Sequence, residues 1–276
     1  MVYKDYSIDL FLFLSRLAEQ GTTQEQACKQ KDLHLAQSIF GALRQGNEWV
    51  SDSCLLFFVR NPERGEVKTR LAATLSQNVA RDLYRCFILD MLSALGSTGF
   101  PITICYYPED GRDDIERLVG EGYAFQPQYG EDLGERMKNG MVDSFAQGFD
   151  RAIVIGSDIP DLPGAFIQES FAALETYDSV LGPALDGGYY LIGFQRATFL
   201  PEAFQGVQWG TEIALRQTLA IFRDNQRTAY LLPYLRDIDT PEDLRAFFQK
   251  YKDTPNCPHT MAYLAQTKLF TTKHEG

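Results

Sequence analysis

The sequence predicts an α/β fold, a doubly wound, mostly parallel sheet, and three observations predict it. Short continuous apolar runs such as Cys54-Leu55-Leu56-Phe57-Phe58-Val59 are what a strand buried on both faces requires. From Ser53 onward such runs alternate with stretches of helical periodicity. Charged and glycine-bearing segments directly follow several of the runs, where sheets of this kind bind ligands.

Residues 1–50 read as a separate, N-terminal helical extension. Leu10, Phe13, Leu14 and Leu17 recur at helical spacing, and Gly21-Thr22-Thr23 breaks the chain before a second helix ending near Gly46 and Asn47. Their apolar faces must bury against the body of the protein or a second subunit, so a homodimer through these helices is one expectation. Residues 51–276 form the main domain. Strands are expected at 54–59, 102–107, 152–155, 179–182, 189–193 and 229–232, with a short edge strand at 125–128. Helices are expected at 75–95, 113–119, 133–149, 166–174, 211–222 and 240–250.

Composition narrows the partners. A net charge of −11 argues against nucleic acid, which calls for a basic face. No stretch reaches the roughly 18 apolar residues of a spanning helix, and Asp5 and Asp9 precede the N-terminal apolar run where a signal peptide needs cations. The expectation is a cytoplasmic protein. The cysteines at 28, 54, 86, 105 and 257 make no Cys-x-x-Cys, and Cys54 and Cys105 read as core residues. His34, His259 and His274 stand apart from every motif.

Four segments carry chemistry. The first strand runs into Arg60-Asn61-Pro62-Glu63-Arg64-Gly65-Glu66-Val67-Lys68-Thr69-Arg70-Leu71, a cation-rich loop in an acidic protein. Gly65 lets the backbone turn past a ligand, and Lys68 and Arg70, expected to be partly exposed, can face phosphate oxygens. The core of a P-loop is missing. Gly156-Ser157-Asp158-Ile159-Pro160-Asp161 follows a buried strand, and a carboxylate such as Asp158 emerging there can hold Mg²⁺ or Mn²⁺ with help from substrate phosphates. Asp161 is expected to cap the next turn. Asp186-Gly187-Gly188 reads as a hairpin turn whose carboxylate could also serve as general base. In Asp237-Ile238-Asp239-Thr240-Pro241-Glu242-Asp243, the last four residues are a helix start with a capping box. Asp237 and Asp239 are left over as candidates for a second metal contact.

In order, these segments resemble a bacterial family of nucleotide-sugar transferases with the A-type glycosyltransferase fold, some linked to arsenosugar biosynthesis. The resemblance also takes in Gly130-x-Asp132-Leu133-Gly134-Glu135-Arg136-Met137, Gly182-Pro183-Ala184-x-Asp186-Gly187-Gly188-Tyr189-Tyr190 and Trp209-Gly210-Thr211, and it covers the chain from Ser53 to Phe248. The family looks like a relative of the molybdenum-cofactor and phospholactate nucleotidyltransferases. The resemblance implies a nucleotide-diphospho-sugar transferase-like domain over 51–276. It implies nucleotide binding by Arg60, Gly65, Lys68 and Arg70, with Asp158 and Asp239 holding the metal. The segment with Gly130, Gly134 and Arg136 would shape the base or ribose site. Gly210 stands where relatives often carry serine, and residues 1–50 have no counterpart.

Three functions follow. Glycosyl transfer from a nucleotide-sugar to a small-molecule acceptor leads. Nucleotidyl transfer from a nucleoside triphosphate, releasing pyrophosphate, needs the same loop and carboxylates. A non-catalytic nucleotide-binding module is disfavoured by the joint presence of Lys68, Arg70, Asp158, Asp186 and Asp239.

Overall fold

The computed structural model describes residues 51–267 and 269–270. The expected extension over residues 1–50 and its dimer contact lie outside the described residues, as do Cys28, His34 and His274. Strands β1 (Ser53–Arg60), β2 (Ile102–Tyr107), β3 (Ala124–Pro127), β4 (Arg151–Ile155), β5 (Ser179–Pro183), β6 (Tyr189–Gln195) and β7 (Ala229–Leu231) form one sheet. Their order is β3-β2-β1-β4-β6-β5-β7. All pairs are parallel except those that β6 makes with β4 and β5. The expected mostly parallel sheet is therefore what forms, with β3 at its edge.

Eight α-helices are found among the described residues: α1 (Thr69–Leu75), α2 (Gln77–Gly96), α3 (Arg112–Val119), α4 (Leu133–Ala146), α5 (Gly164–Ala173), α6 (Ala214–Asp224), α7 (Pro241–Tyr251) and α8 (Pro258–Thr267). The helix expected to reach 149 stops at Ala146, and Gly148 turns away at φ 105°. Alternate residues of β1 feed opposite cores, as strand geometry requires. Leu55, Phe57 and Val59 pack with Phe87, Ile115, Ile167 and Leu244. Leu56 and Phe58 pack with Met137, Met141, Leu215 and Phe222 on the other face. Cys54 and Cys105 are buried core residues, as expected. No helix among the described residues is long and apolar enough to cross a membrane.

Two carboxylates differ from expectation. Asp161 does not cap its own turn: its Oδ2 accepts hydrogen bonds from Lys250 Nζ at 2.8 Å and Tyr251 Oη at 2.6 Å, fastening α7 to the loop after β4. Asp90, on α2, is 4% exposed, and its two oxygens accept the backbone N–H groups of His259 and Thr260 at 2.9 and 2.8 Å. It thus satisfies the start of α8, a helix that the sequence did not predict.

Candidate functional site

The C-terminal ends of β1, β2 and β4 and the start of the reversed strand β6 open into one cleft of about 720 Å³. It lies where the chain turns back across the sheet from the β1–β2–β3 half to β4, the usual ligand position in such sheets. Arg60, Arg70, Arg136, Asp158 and Asp239 line it together with Lys68.

The cation-rich loop divides its charges. Asn61, buried, donates from Nδ2 to Gly111 O at 3.0 Å and Asp114 Oδ2 at 3.2 Å, pinning the loop to α3. Arg64 is spent on the surface, paired with Asp110 at 2.6 Å and Asp114 at 2.7 Å. Arg60 and Arg70 are exposed at the cleft, and their side chains make no ion pair or hydrogen bond among the described residues. Gly65 adopts φ 114° in exposed backbone outside the cleft lining, a conformation that the turn of this loop requires.

Lys68 corrects the expectation most. Its side chain is 3% exposed, and Nζ lies 2.5 Å from Asp158 Oδ1 and 2.8 Å from Asp239 Oδ1. The two carboxylates, 48% and 42% exposed, converge on one buried ammonium. Burial alone would push the Lys68 pKa down, but the charges and hydrogen bonds of the two aspartates outweigh it and hold the pKa above the ordinary lysine value. The backbone bears strain for this: Lys68 sits at φ 50°, ψ 50°, a left-handed conformation that costs a non-glycine residue roughly 1–2 kcal/mol. Buried Val67 and Leu71 hold the segment on both sides. Asp237 is a half-buried carboxylate within electrostatic reach of Asp158, Lys68 and Asp239. Burial first, then the charges of Asp158 and Asp186, push its pKa up to about 8, with Lys68 opposing in part.

Asp158 and Asp239 are the carboxylates that could hold a divalent cation here. They already share a cation at hydrogen-bonding distance, yet no group of three or more His, Cys, Asp or Glu side chains among the described residues is placed to hold a metal. That donor set suits Mg²⁺ or Mn²⁺, which accept one or two carboxylates and complete their shell from phosphate and water.

The other wall is built from β2 and α4. Arg136 stacks on Tyr107, its guanidinium carbon 3.9 Å from the ring centroid, and its Nε donates to Gly130 O at 3.1 Å. Gly130 and Gly134 are not among the lining residues. Gly130, at φ 137°, lets its loop fold onto the start of α4, where a Cβ would meet Glu135 Cβ at 2.7 Å. At Gly134 a Cβ would meet Trp209 Nε1 at 2.5 Å and Phe204 O at 2.6 Å, so this glycine brings α4 against the Trp209 segment. Both glycines shape the wall from behind. Asp186, the candidate base, is exposed and outside the lining, and its Oδ1 accepts the Gly188 N–H at 2.9 Å. This is the contact expected of an Asp-Gly hairpin turn.

Two residues had no sequence signal. The Tyr84 hydroxyl accepts the Arg60 N–H at 3.0 Å and shares a 2.6 Å hydrogen bond with Ser157 Oγ, tying the ends of β1 and β4 together under the cleft. Gln128, which lines the cleft, donates from Nε2 to Cys105 O at 2.6 Å and Val59 O at 3.3 Å, joining the ends of β1 and β2. Tyr84 is indistinguishable from a core position of α2, and Gln128 from a strand-end residue.

Comparison with known proteins agrees with this architecture. Residues 91–211 match the family model DUF2064, described as an uncharacterized protein conserved in bacteria. The 2-phospho-L-lactate guanylyltransferase of Methanothermobacter thermautotrophicus is 30% identical over 125 residues, 44% of this chain and 53% of that one, so the match spans about half the length of that relative. A crystal structure from Desulfovibrio desulfuricans G20, named a "putative nucleotide-diphospho-sugar transferase", is 39% identical. It superposes with a TM-score of 0.76 over 79% of this chain and 96% of its own. On these matches the chain belongs to the DUF2064 family of bacterial proteins, built on the nucleotide-diphospho-sugar transferase fold.

Proposed function

We propose that the chain is a nucleotide-dependent transferase, with glycosyl transfer from a nucleotide-diphospho-sugar as the first reading. The observation that carries it is that two unpaired guanidinium groups, Arg60 and Arg70, and the carboxylate pair Asp158–Asp239 line one cleft. The similarity to the Desulfovibrio protein, over nearly its whole length, supports the donor class. Arg60 and Arg70 bind the phosphates by charge-assisted hydrogen bonds. The Arg136–Tyr107 stack and Gln128 line the cleft together, planar groups suited to a base or ribose. Asp158 and Asp239 would hold Mg²⁺ or Mn²⁺, which would supply charge neutralisation at the leaving phosphate. In glycosyl transfer the acceptor oxygen bonds to the anomeric carbon, the bond to the diphosphate breaks, and the acceptor proton passes to a base. The guanylyltransferase relative favours a second reading. There a hydroxyl or phosphate oxygen bonds to the α-phosphorus and pyrophosphate departs.

Incubation with a panel of nucleotide-sugars and nucleoside triphosphates, with nucleoside diphosphate and pyrophosphate measured separately, decides between them. Nucleotide is expected to raise the melting temperature only with Mg²⁺ or Mn²⁺ present, because a ligand at 100 times its Kd adds about 2.7 kcal/mol. Absence of any shift with every nucleotide and metal would sink the transferase reading. Arg70→Ala should weaken nucleotide binding by about 1.5–3 kcal/mol in calorimetric titration, the worth of a hydrogen bond to a charged group, and leave melting unchanged. An unchanged Kd would return Arg70 to the role of a solvated surface cation.

A further inference from the structure

A divalent ion approaching Asp158 and Asp239 meets a positive charge that is already in place. The Lys68 ammonium touches one oxygen of each carboxylate, at 2.5 and 2.8 Å. It has nowhere to retreat. Its side chain is 3% exposed, Nζ lies 5.8 Å from the centroid of the Phe87 ring, and the backbone is fixed in a left-handed conformation between buried Val67 and Leu71. An exposed lysine would swing into water when a second cation arrived; this one stays beside it. The three groups carry a net charge of about −1, and a divalent ion alone would reverse that sign within a few ångströms of a fixed ammonium. A diphosphate brings about two negative charges to the same cleft, where the exposed Arg60 and Arg70 lie at its lip. With those charges present, the ammonium and the metal no longer face each other uncompensated.

We propose that Lys68 acts as a resident competing cation that makes divalent-metal binding conditional on a phosphate-bearing ligand, so that metal and nucleotide enter as coupled partners. The inference rests on the reading of Asp158 and Asp239 as the pair that holds the metal. Lys68 is a positioning residue in this account: it acts through the two aspartates. Because binding couplings are reciprocal, nucleotide should bind tighter with metal by the same factor that metal gains from nucleotide.

The test is Mn²⁺ binding to the full chain by calorimetry, alone and with GDP, corrected for the Mn²⁺–GDP complex formed in solution. The wild-type protein should bind Mn²⁺ at least about tenfold tighter with GDP than without it. Lys68→Met should bind Mn²⁺ alone at least about tenfold tighter than wild type, the scale expected when a unit charge a few ångströms from a divalent ion is removed even at the dielectric of water. Its gain from GDP should shrink accordingly. Lys68→Gln, which keeps hydrogen-bond donors between the carboxylates without the charge, should behave as Lys68→Met does and covers the case in which the methionine variant fails to fold. Equal or weaker Mn²⁺ binding by a folded variant overturns the proposal, because Lys68 would then only hold the carboxylates in place. Equal Mn²⁺ affinity of the wild type with and without GDP overturns it with no variant at all. Failure of wild-type and variant proteins alike to bind Mn²⁺ with GDP would instead refute the assignment of Asp158 and Asp239 beneath it.

Discussion

Asp158→Asn should lower metal-dependent turnover by about 10²–10³-fold, the cost typical of removing one preorganised electrostatic group from an active site. Asparagine keeps the shape of the side chain and removes the charge. The fold should survive. Asp158 is half exposed, and Lys68 keeps its 2.8 Å contact with Asp239 after the change. A melting curve within a few degrees of wild type, together with collapsed turnover in the donor panel, is therefore the expected pair of results. Activity within a few-fold of wild type would remove Asp158 from the site.

The second large effect lies far from the cleft. Asp90→Ala should destabilise the protein by about 3 kcal/mol, because two charge-assisted hydrogen bonds to the start of α8 are lost in a buried location. For a chain of this size that corresponds to a fall in melting temperature of roughly 6–12 °C. Asp90→Asn, which retains one acceptor, should recover part of it. Thermal or urea unfolding of both variants measures the difference. A melting temperature for Asp90→Ala equal to wild type would mean that α8 contributes little to the cooperative unit.

Asp90 also shows where the sequence stopped being legible. A helix announces itself through local signals, and α7 had them: Thr240 and Asp243 form the expected capping box, with reciprocal hydrogen bonds at 3.2 and 3.0 Å. At α8 the cap comes from a residue 169 positions away in the chain, and no window of sequence contains it. The strands were legible for the opposite reason. A run such as residues 54–59 is apolar at every position because both faces are covered, and that condition is written residue by residue.

The candidate site was legible as a set of segments and much less so as geometry. Asp158, Asp239, Arg60, Arg70 and Arg136 do meet in one cleft. The division of labour in the loop after β1 was hidden, since Arg64 is claimed by Asp110, just before α3, and Asp114 on α3, and Lys68 by an aspartate 171 residues away. Spacing shows that a lysine can reach a phosphate. It does not show that a carboxylate elsewhere in the chain has reached the lysine first. Gly130 and Gly134 signal close approach of backbone, and the groups that crowd them, Glu135 at the one and Trp209 and Phe204 at the other, could not be named from the sequence.

The reversed direction of β6 bears on how this scaffold can change its chemistry. In the parallel strands the cleft is reached by the segment that follows each strand, which must then lead into a helix. Because β6 runs the other way, the cleft is lined by the start of the strand itself, Tyr189 to Ile192, and the hairpin before it, closed by Ala184 N–H to Gly188 O at 3.0 Å and Gly187 N–H to Ala184 O at 3.2 Å, stands outside the lining. Such a turn carries no helix behind it and is anchored by the β5–β6 ladder on both sides. Its backbone is pinned to two other segments, by Leu185 N–H to Leu235 O at 2.9 Å and Leu215 N–H to Gly187 O at 3.0 Å, while β6 keeps register with β4 from Leu191 onward. A change of residue in the hairpin therefore reaches the cleft only through the strand it leads into, whereas a change at Tyr189 to Ile192 alters the cleft directly.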